Sequence, residues 1–311
     1  MIVKRNFNPL KVVQYVRTEL LLSVASSALV YWLFSSGILT AALPFSVAAI
    51  LGSALAIFIA FRNNSSYARW WEARTHWSGI SNACQVFGRL IITFADSHSH
   101  QQNYDKARSE NFKKELIYTL IAWAHLLRVR LLGHGSTSEV KHLLTESDFQ
   151  KTEAAQNKPS FLHLLLGQKI YQAMANGTLG GFDSFQLEGQ LLALANAQGN
   201  CERIKSTPLL RQYHYFTRVF LYVFILVLPF ALIGDFSKMN IAALMAPVSV
   251  IIAFVFSIIG KVGEVNEDPF ENRITDVPLL YICTNIERDL REMLGETNLP
   301  PAITPAEGIL R

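Results

Sequence analysis

The stretch ALAIFIAFRNNSSYARWWEAR, Ala54 to Arg74, shows most clearly how this chain is built. It begins purely apolar, becomes polar, charged and aromatic after Phe61, and contains neither proline nor glycine. The absence of both favours one continuous helix, because proline removes a backbone donor and glycine lowers helix stability. The sequence therefore predicts a helix that begins in an apolar medium and continues into a polar one.

The composition indicates a membrane protein. Half of the 311 residues are hydrophobic and only 17% are charged, whereas soluble proteins carry about 25% charged residues. Residues 20–61 contain no charged side chain, which is enough for two crossings of about 20 residues each. Two further uncharged runs, 219–234 and 239–260, are separated only by DFSK at 235–238. These runs predict four transmembrane helices in two hairpins, with Ser35, Ser36 and Gly37 in the first turn.

The basic residues predict the orientation. Lys4, Arg5, Lys11 and Arg17 precede the first membrane helix, whereas the two short hairpin loops contain Lys238 alone. By the positive-inside rule, both termini and the long middle segment are cytosolic. The alternative of a cleaved signal peptide is disfavoured, because apolar residues continue through 30–34, past a plausible cleavage site.

Five segments follow from these patterns. We expect a cytosolic N-terminal segment at 1–19, membrane helices 1 and 2 at 20–61, a helical cytosolic domain at 62–211, membrane helices 3 and 4 at 212–260, and a cytosolic C-terminal segment at 261–311. The middle domain shows helical periodicity and no convincing strand pattern. The proline-containing tail after Asn298 is expected to be an extended strap or disordered.

No catalytic pattern is present. Cys84, Cys201 and Cys283 are too widely spaced for a zinc or disulfide framework. There is no phosphate-binding glycine loop and no nucleophile elbow. His98 and His100 are expected in a solvated loop rather than in a metal site. We therefore expect neither an enzyme nor a nucleic-acid-binding protein.

Two interpretations of the second membrane helix remain open at this point. Small residues recur every four positions along one face, and a second face lies beside them. The first comprises Ala48, Gly52, Ala56 and Ala60, and the second comprises Ala49, Ser53, Ile57 and Phe61. If several copies pack through the small face, Ile57 and Phe61 form a hydrophobic collar that gates ions by dewetting. Otherwise the small residues pack only against their own chain.

The second half of the opening stretch resembles the bestrophin family. Arg69, Trp70 and Trp71 match the Arg-Trp-Trp element that follows the pore helix in that family. Within GEVNEDPFENRITDVPLL at 263–280, Asp268, Pro269 and Phe270 match its Asn/Asp-Pro-Phe motif. The stretch NCERI at 200–204 is similar to the segment before the third membrane helix in bacterial members. The resemblance extends along most of the chain.

This resemblance implies a homopentameric ion channel in the bacterial inner membrane, with five copies of the second membrane helix around one pore. The neck positions then correspond to Ser53, Ile57 and Phe61. Ser53 departs from the bulky apolar residue usual in the family, which would make the collar shorter or wetter. A second, cytosolic constriction is expected, with Leu179, Phe182 and Phe185 as candidates.

The same resemblance raises the question of calcium. Animal members bind calcium through acids that follow Asn-Pro-Phe, and Asp268 and Asp276 lie near those ligand positions. Arg273 stands where an acid is needed, and a fixed cation repels calcium. The resemblance therefore implies that no cofactor is needed and that calcium does not activate the channel.

Three further questions stay open in the sequence. Arg62 either raises the local anion concentration at the pore or is an ordinary cation at a helix end. Trp70, Trp71 and Trp77 form either an interfacial belt or a core layer. The neck carries no charge to decide selectivity, so a preference for monovalent cations over chloride rests on the resemblance to bacterial members. The alternative functions are a membrane-anchored helical scaffold and a secondary transporter.

Overall fold

The protein, seen in a computed structural model, is helical throughout the part that can be described. The described residues are 1–6, 9–97, 99–100, 102 and 104–310, without the side chains of residues 9–11, and His98 lies outside them. Within these residues strand pairing is limited to isolated bridges. Four helices there are long and apolar enough to cross a membrane, namely Arg17–Ser35, Phe45–Ala95, Arg211–Lys238 and Ala242–Asn266. The prediction of an all-helical membrane protein with four spanning helices in two hairpins is confirmed.

The chain folds into two compact units. The membrane unit comprises Lys4–Trp70 and Pro208–Asp268, and the globular unit comprises Met1–Val3, Trp71–Thr207 and Pro269–Arg311. In chain order the helices are α1 (Pro9–Tyr15), α2 (Arg17–Ser35), α3 (Phe45–Ala95), α4 (Lys106–Leu132), α5 (Glu146–Ala154), α6 (Lys158–Ala175), α7 (Gly181–Ser206), α8 (Arg211–Lys238), α9 (Met245–Asn266) and α10 (Leu279–Met293), with short 3-10 helices at Thr137–Leu143 and Ala242–Leu244.

Helices α2 and α9 pack together in the membrane unit, and both bury small side chains. The buried face of α9 includes Ser249, Ala253, Ser257 and Gly260, and α2 buries Ser23, Ser26 and Ser27. Small residues allow close helix approach in lipid, where no hydrophobic difference between protein and solvent drives association. The larger apolar side chains of α8, such as Phe224 and Leu228, complete this core.

The two hairpin turns are built differently. In the first, α2 ends at Ser35, and Gly37 adopts a left-handed φ of 71°. In the second, DFSK is not the turn, because α8 continues through it to Lys238. The chain instead reverses at Asn240, whose φ is 59°. Asparagine tolerates this conformation better than most residues, which explains why the reversal lies there.

Helix α3 is unbroken over 51 residues, as the opening stretch predicts. At about 1.5 Å per residue it is roughly 75 Å long, more than twice the thickness of a bilayer's hydrocarbon core. The same helix therefore supplies a membrane-spanning segment and a long polar segment beyond it.

Helix α4 forms the centre of the globular unit. It packs against α6, α7 and α10, and the indole nitrogen of its buried Trp123 donates to Gln198 Oε1 at 3.0 Å. The end of the chain forms an extended strap, since Ile309 pairs with Ile2 in an antiparallel bridge.

Candidate pore-lining site

Two opposite faces of α3 have different surroundings in the membrane unit. One face is buried and comprises Ala48, Gly52, Leu55, Ile59, Arg62 and Ser66. With about 100° of rotation per residue, Ser53, Ile57 and Phe61 project from the opposite side of the helix. Ile57 is 57% exposed and Phe61 is 66% exposed. The three neck candidates therefore share a face that their own chain does not cover.

The small residues Ala48, Gly52, Ala56 and Ala60 support both interpretations of the second membrane helix, each in part. Ala48 and Gly52 are buried in their own chain, and a Cβ atom at Gly52 would stand 3.1 Å from the ring of Phe224 in α8. Ala56 and Ala60 are exposed. The first half of the stripe packs within the protomer, and the second half remains available for contact with another helix.

The exposed face is polar at both ends and apolar in the middle. The hydroxyl of Ser53 donates to the carbonyl oxygen of Ala49 at 2.8 Å. Asn64 lies almost one turn beyond Phe61 on the same side of α3 and is exposed.

Arg62 lies next to Phe61 in sequence but points elsewhere. Its side chain is buried, and its Nη2 donates to Glu267 Oε2 at 3.1 Å and contacts His214 Nδ1 at 2.6 Å. Neither expected role of Arg62 fits, because a buried, paired guanidinium is neither an anion attractor at the exposed face nor a free cation at the helix end. Sequence reasoning missed Glu267 and His214 as its partners, which are far away along the chain.

The residues of the Arg-Trp-Trp motif have distinct environments. Arg69 Nη2 lies 3.9 Å from Asp268 Oδ1, so the two family motifs meet within the membrane unit. Trp70 is half-buried and Trp71 is exposed. Trp77 is fully buried in the globular unit and belongs to its core rather than to an interfacial belt.

Asp276 closes the loop after Phe270. Its Oδ2 accepts the backbone N–H groups of Glu271 at 2.7 Å and Arg273 at 3.0 Å. Burial raises the pKa of the Asp276 carboxyl, although both N–H groups and the charge of Arg273 act in the opposite direction. Phe270 itself is buried in the globular unit. The carboxylate of Asp276 is thus engaged in the loop.

The two weak metal candidates are not part of a larger ligand cluster. Throughout the described part of the chain, no group of three or more His, Cys, Asp or Glu side chains is arranged to hold a metal ion. Asp268 is paired with Arg69, and Asp276 is engaged by its loop.

The candidates for the cytosolic constriction separate into two kinds. Leu179 is only 3% exposed, because the chain folds back at the end of α6 and its N–H donates to the carbonyl oxygen of Ala173. It is therefore wrong as a pore-lining candidate. Phe182 and Phe185 are 70% and 73% exposed, and their spacing of three places them on one face of α7.

Comparisons with known proteins agree with this architecture. The sequence model of the family described as bacterial/fungal bestrophin protein matches residues 2–292. The chain is 32% identical over 286 residues to the voltage-dependent anion channel-forming protein YneE of Escherichia coli K12, covering 92% of this chain and 87% of YneE. It is 30% identical over 279 residues to the voltage-dependent anion channel-forming protein RSc3414 of Ralstonia nicotianae, covering 89% and 84%.

A solved structure shows the same fold. A crystal structure of a bacterial bestrophin homologue from Klebsiella pneumoniae, a single-substitution variant, matches with a TM-score of 0.81 and 28% identity, covering 92% of this chain and 98% of that one. The spanning helices, the motif pair Arg69 and Asp268, and these similarities lead to one conclusion: the chain belongs to the bacterial/fungal bestrophin family.

Proposed function

We propose that this protein is a homopentameric ion channel whose neck is lined by Ser53, Ile57 and Phe61 from five copies of α3. The observation that carries the proposal is the exposure of Ile57 and Phe61 on the face of α3 that its own chain leaves uncovered. Membership of the bestrophin family and the channel-forming names of the relatives support a channel over an enzyme, a scaffold or a secondary transporter.

The neck would act as a hydrophobic gate. A ring of Ile57 and Phe61 side chains disfavours water in a narrow passage. An ion that crosses it would have to give up part of its hydration shell, which is costly. Ser53 and Asn64 on either side would provide polar rings where water is stable. The Ser53 hydroxyl is already satisfied by Ala49, so a serine at this level stays compatible with a narrow neck.

Phe182 and Phe185 are proposed for the second constriction. They are exposed in the first turns of α7, where Asp183 Oδ2 accepts the N–H of Gly180 at 2.9 Å and caps the helix. Large exposed aromatic side chains on a polar unit favour contact with another surface or a passage that excludes water.

In this proposal the conducted ion is small and monovalent. The reversal potential described below determines whether it is a cation or an anion. The exposed face of the neck carries no charged side chain, since Arg62 is buried and paired with Glu267. The family resemblance favours cations, whereas the names of the relatives, voltage-dependent anion channel-forming proteins, favour anions. We place the channel in the bacterial inner membrane with both termini cytosolic, on the distribution of lysine and arginine.

Flux through purified protein in liposomes under a KCl gradient tests the proposal. We expect the wild type to conduct, and Ile57→Ala and Phe61→Ala to conduct more, because both substitutions widen the collar. Ile251→Ala is the matched control: Ile251 is 61% exposed but lies on α9, so its truncation should leave conduction unchanged. Flux should not change when calcium is chelated.

The reversal potential of the same preparation gives the sign of the ion, and chemical cross-linking gives the number of subunits. Five subunits and a collar-dependent conductance support the channel. A correctly assembled protein that passes no ions, in the wild type and in both collar variants, would overturn it and favour a scaffold. Transport that saturates and couples to a second solute would favour a transporter.

A further inference from the structure

Helices α6 and α7 leave a groove between them on the surface of the globular unit, with a volume of about 840 Å³. Its edges are apolar and exposed. Leu164 and Tyr171 of α6 are 55% and 65% exposed, and Leu192 of α7 is 63% exposed. Burial lowers the pKa of His163 in the groove wall to about 4, so its ring is neutral at pH 7. Exposed apolar side chains grouped in this way are typical of a contact surface.

Among the described residues that line this α6–α7 groove, Glu188 alone is charged at pH 7. Its side chain is exposed and reaches across to α6, where one carboxylate oxygen would lie 3.8 Å from a Cβ atom added at Gly167. The described part of the chain offers this carboxylate neither a cation nor a hydrogen-bond donor. A partner that covers the groove should therefore bring a positive charge to Glu188.

A second groove lies on the same unit, between α10 and the globular part of α3, with a volume of about 390 Å³. The residues that line it are Gln85, Val86, Arg89, Ile92, Thr93 and Met293. Arg89 is exposed and is the one charged side chain in this lining. Within the described ranges no carboxylate pairs with Arg89, and Asp289 of α10 accepts from Gln85 Nε2 at 2.8 Å. Arginine and methionine are enriched where proteins contact one another.

The two grooves are separate faces of one protomer. Helix α4 contacts both α6 and α10, and no residue lines both grooves. A ring of more than two identical subunits needs two different faces on each subunit, because each subunit meets its two neighbours through opposite sides. The α6–α7 groove and the α3–α10 groove provide two such faces within the globular unit.

The charges favour a contact between unlike faces. Two copies of the same groove placed together would bring Glu188 against Glu188, or Arg89 against Arg89. Like charges that meet at an interface cost free energy, whereas a contact between the two different grooves brings opposite charges together. A head-to-tail arrangement is therefore preferred over a two-fold dimer.

We propose that the α6–α7 groove of one protomer docks on the α3–α10 groove of its neighbour, where Glu188 pairs with Arg89 of the partner subunit. This inference rests on the proposed function, because it supplies a subunit contact that a pentamer needs. The apolar edges provide most of the burial and the ion pair sets the register, since an exposed ion pair alone contributes little. Phe185 lies one turn before Glu188 on α7, so the contact begins beside a side chain proposed for the second constriction.

Cysteine cross-linking of the full-length protein tests the contact. The three native cysteines are buried, so introduced thiols should react first. Chains with Glu188→Cys and chains with Arg89→Cys, coexpressed with different tags, should be joined by a short bis-maleimide into dimers that carry both tags. A flexible cross-linker is needed because an ion pair holds Cβ atoms farther apart than the roughly 3.5–4.5 Å of a disulfide.

The same cross-linker should give a ladder of up to five subunits when one chain carries both Glu188→Cys and Arg89→Cys, because every protomer then has both reactive faces. Neither single variant should give a ladder. Glu153→Cys combined with Arg89→Cys is the matched control, since Glu153 is exposed on α5 and lines neither groove. This control should give no ladder.

Charge reversal tests the ion pair without cysteine. Glu188→Arg and Arg89→Glu should each raise, by at least about tenfold, the protein concentration at which the assembly dissociates on dilution, because each variant places like charges together. The double variant Glu188→Arg/Arg89→Glu should return to within a few-fold of the wild type. Lys151→Glu, on the exposed side of α5, should leave dissociation unchanged. Native mass spectrometry measures the subunit number in each sample.

The outcomes separate this contact from the channel itself. A five-subunit protein without a cross-link between the two positions overturns the docking, and a Glu188→Cys thiol that stays open to a bulky maleimide then points to a different partner. A cross-linked dimer from Glu188→Cys alone overturns the head-to-tail arrangement. Both results leave the channel in place, whereas a wild type that is a monomer or a dimer overturns the pentamer on which the inference rests.

Discussion

Gly88 lies on the segment of α3 that belongs to the globular unit, and it faces α10. A Cβ atom at this position would collide with the side chain of Leu290 and would stand 3.3 Å from the sulfur of Met293. Gly79 on the same helix has no atom within 4 Å of its Cβ position. Two glycines in one helix therefore have opposite packing requirements.

This contrast predicts opposite effects of one methyl group. Gly88→Ala should destabilise the globular unit by about 1–3 kcal/mol, because an overpacked core must shift to accept the extra atom. Gly79→Ala should stabilise it by up to about 1 kcal/mol, because alanine favours the helix more than glycine does. Thermal unfolding of both purified variants checks the prediction, and equal melting temperatures for the two would contradict it.

At the scale of elements, α4 and α10 are joined by a charged network in the globular unit. Glu287 accepts from His125 Nε2 at 3.1 Å and from Arg291 Nη1 at 3.1 Å. Arg291 also donates to Glu296, which accepts from the hydroxyl of Tyr118 at 2.7 Å. The two helices are thus fastened by hydrogen bonds as well as by apolar contacts.

The pKa of Glu287 carries a consequence for stability. Burial, the largest influence, raises this pKa, but the hydrogen bond and charge of His125 and those of Arg291 together outweigh burial and lower it. A carboxyl whose pKa is lower in the folded protein than its ordinary value of 4.5 stabilises the fold at pH values above that ordinary value. That contribution is lost as the pH falls through the folded-state pKa.

We therefore expect Glu287→Gln to lower the melting temperature of the protein at neutral pH, at a cost of about 1–3 kcal/mol, because a charge-assisted acceptor is lost. The difference from the wild type should shrink as the pH falls below 4.5 and through the lowered folded-state pKa, because the wild-type carboxyl then becomes protonated. Glu292→Gln is the control, since Glu292 is exposed on the same helix. A difference that stays constant with pH would argue against the proposed cause.

At the scale of the whole chain, the two ends meet on the globular unit. The N–H of Val3 donates to the carbonyl oxygen of Gly308 at 2.9 Å, and the N–H of Leu310 donates to that of Met1 at 2.8 Å. The turn that makes this possible places Glu307 and Gly308 in the left-handed region, with φ of 51° and 77°.

Gly308→Val should loosen this attachment. A β-branched residue with left-handed φ costs about 1–2 kcal/mol, which corresponds to roughly a 5–30-fold change in an opening equilibrium. Amide hydrogen exchange at Val3 and Leu310 should accelerate by about that factor, while exchange within α10 stays unchanged. Thr304→Val, at an exposed position of the strap without positive φ, should leave exchange as in the wild type.

The family was predicted from the resemblance of its motifs, whereas local sequence alone was enough to predict the membrane character, the four spanning helices and the continuity of α3. These properties depend on local composition and periodicity, which a single stretch such as Ala54 to Arg74 already contains. That Ser53, Ile57 and Phe61 share one face of α3 was also predictable, because helical spacing alone places these residues on one side.

Which of these side chains are covered depends on the tertiary structure. Arg62 and Glu267 are 205 positions apart, and nothing in either local sequence indicates the other. Leu179 resembles Phe182 and Phe185 in hydrophobicity, yet only Leu179 is buried, because the chain turns back onto α6. Long-range packing selects these contacts, since the partner of a side chain depends on how distant helices come together and not on the preferences of its neighbours in sequence.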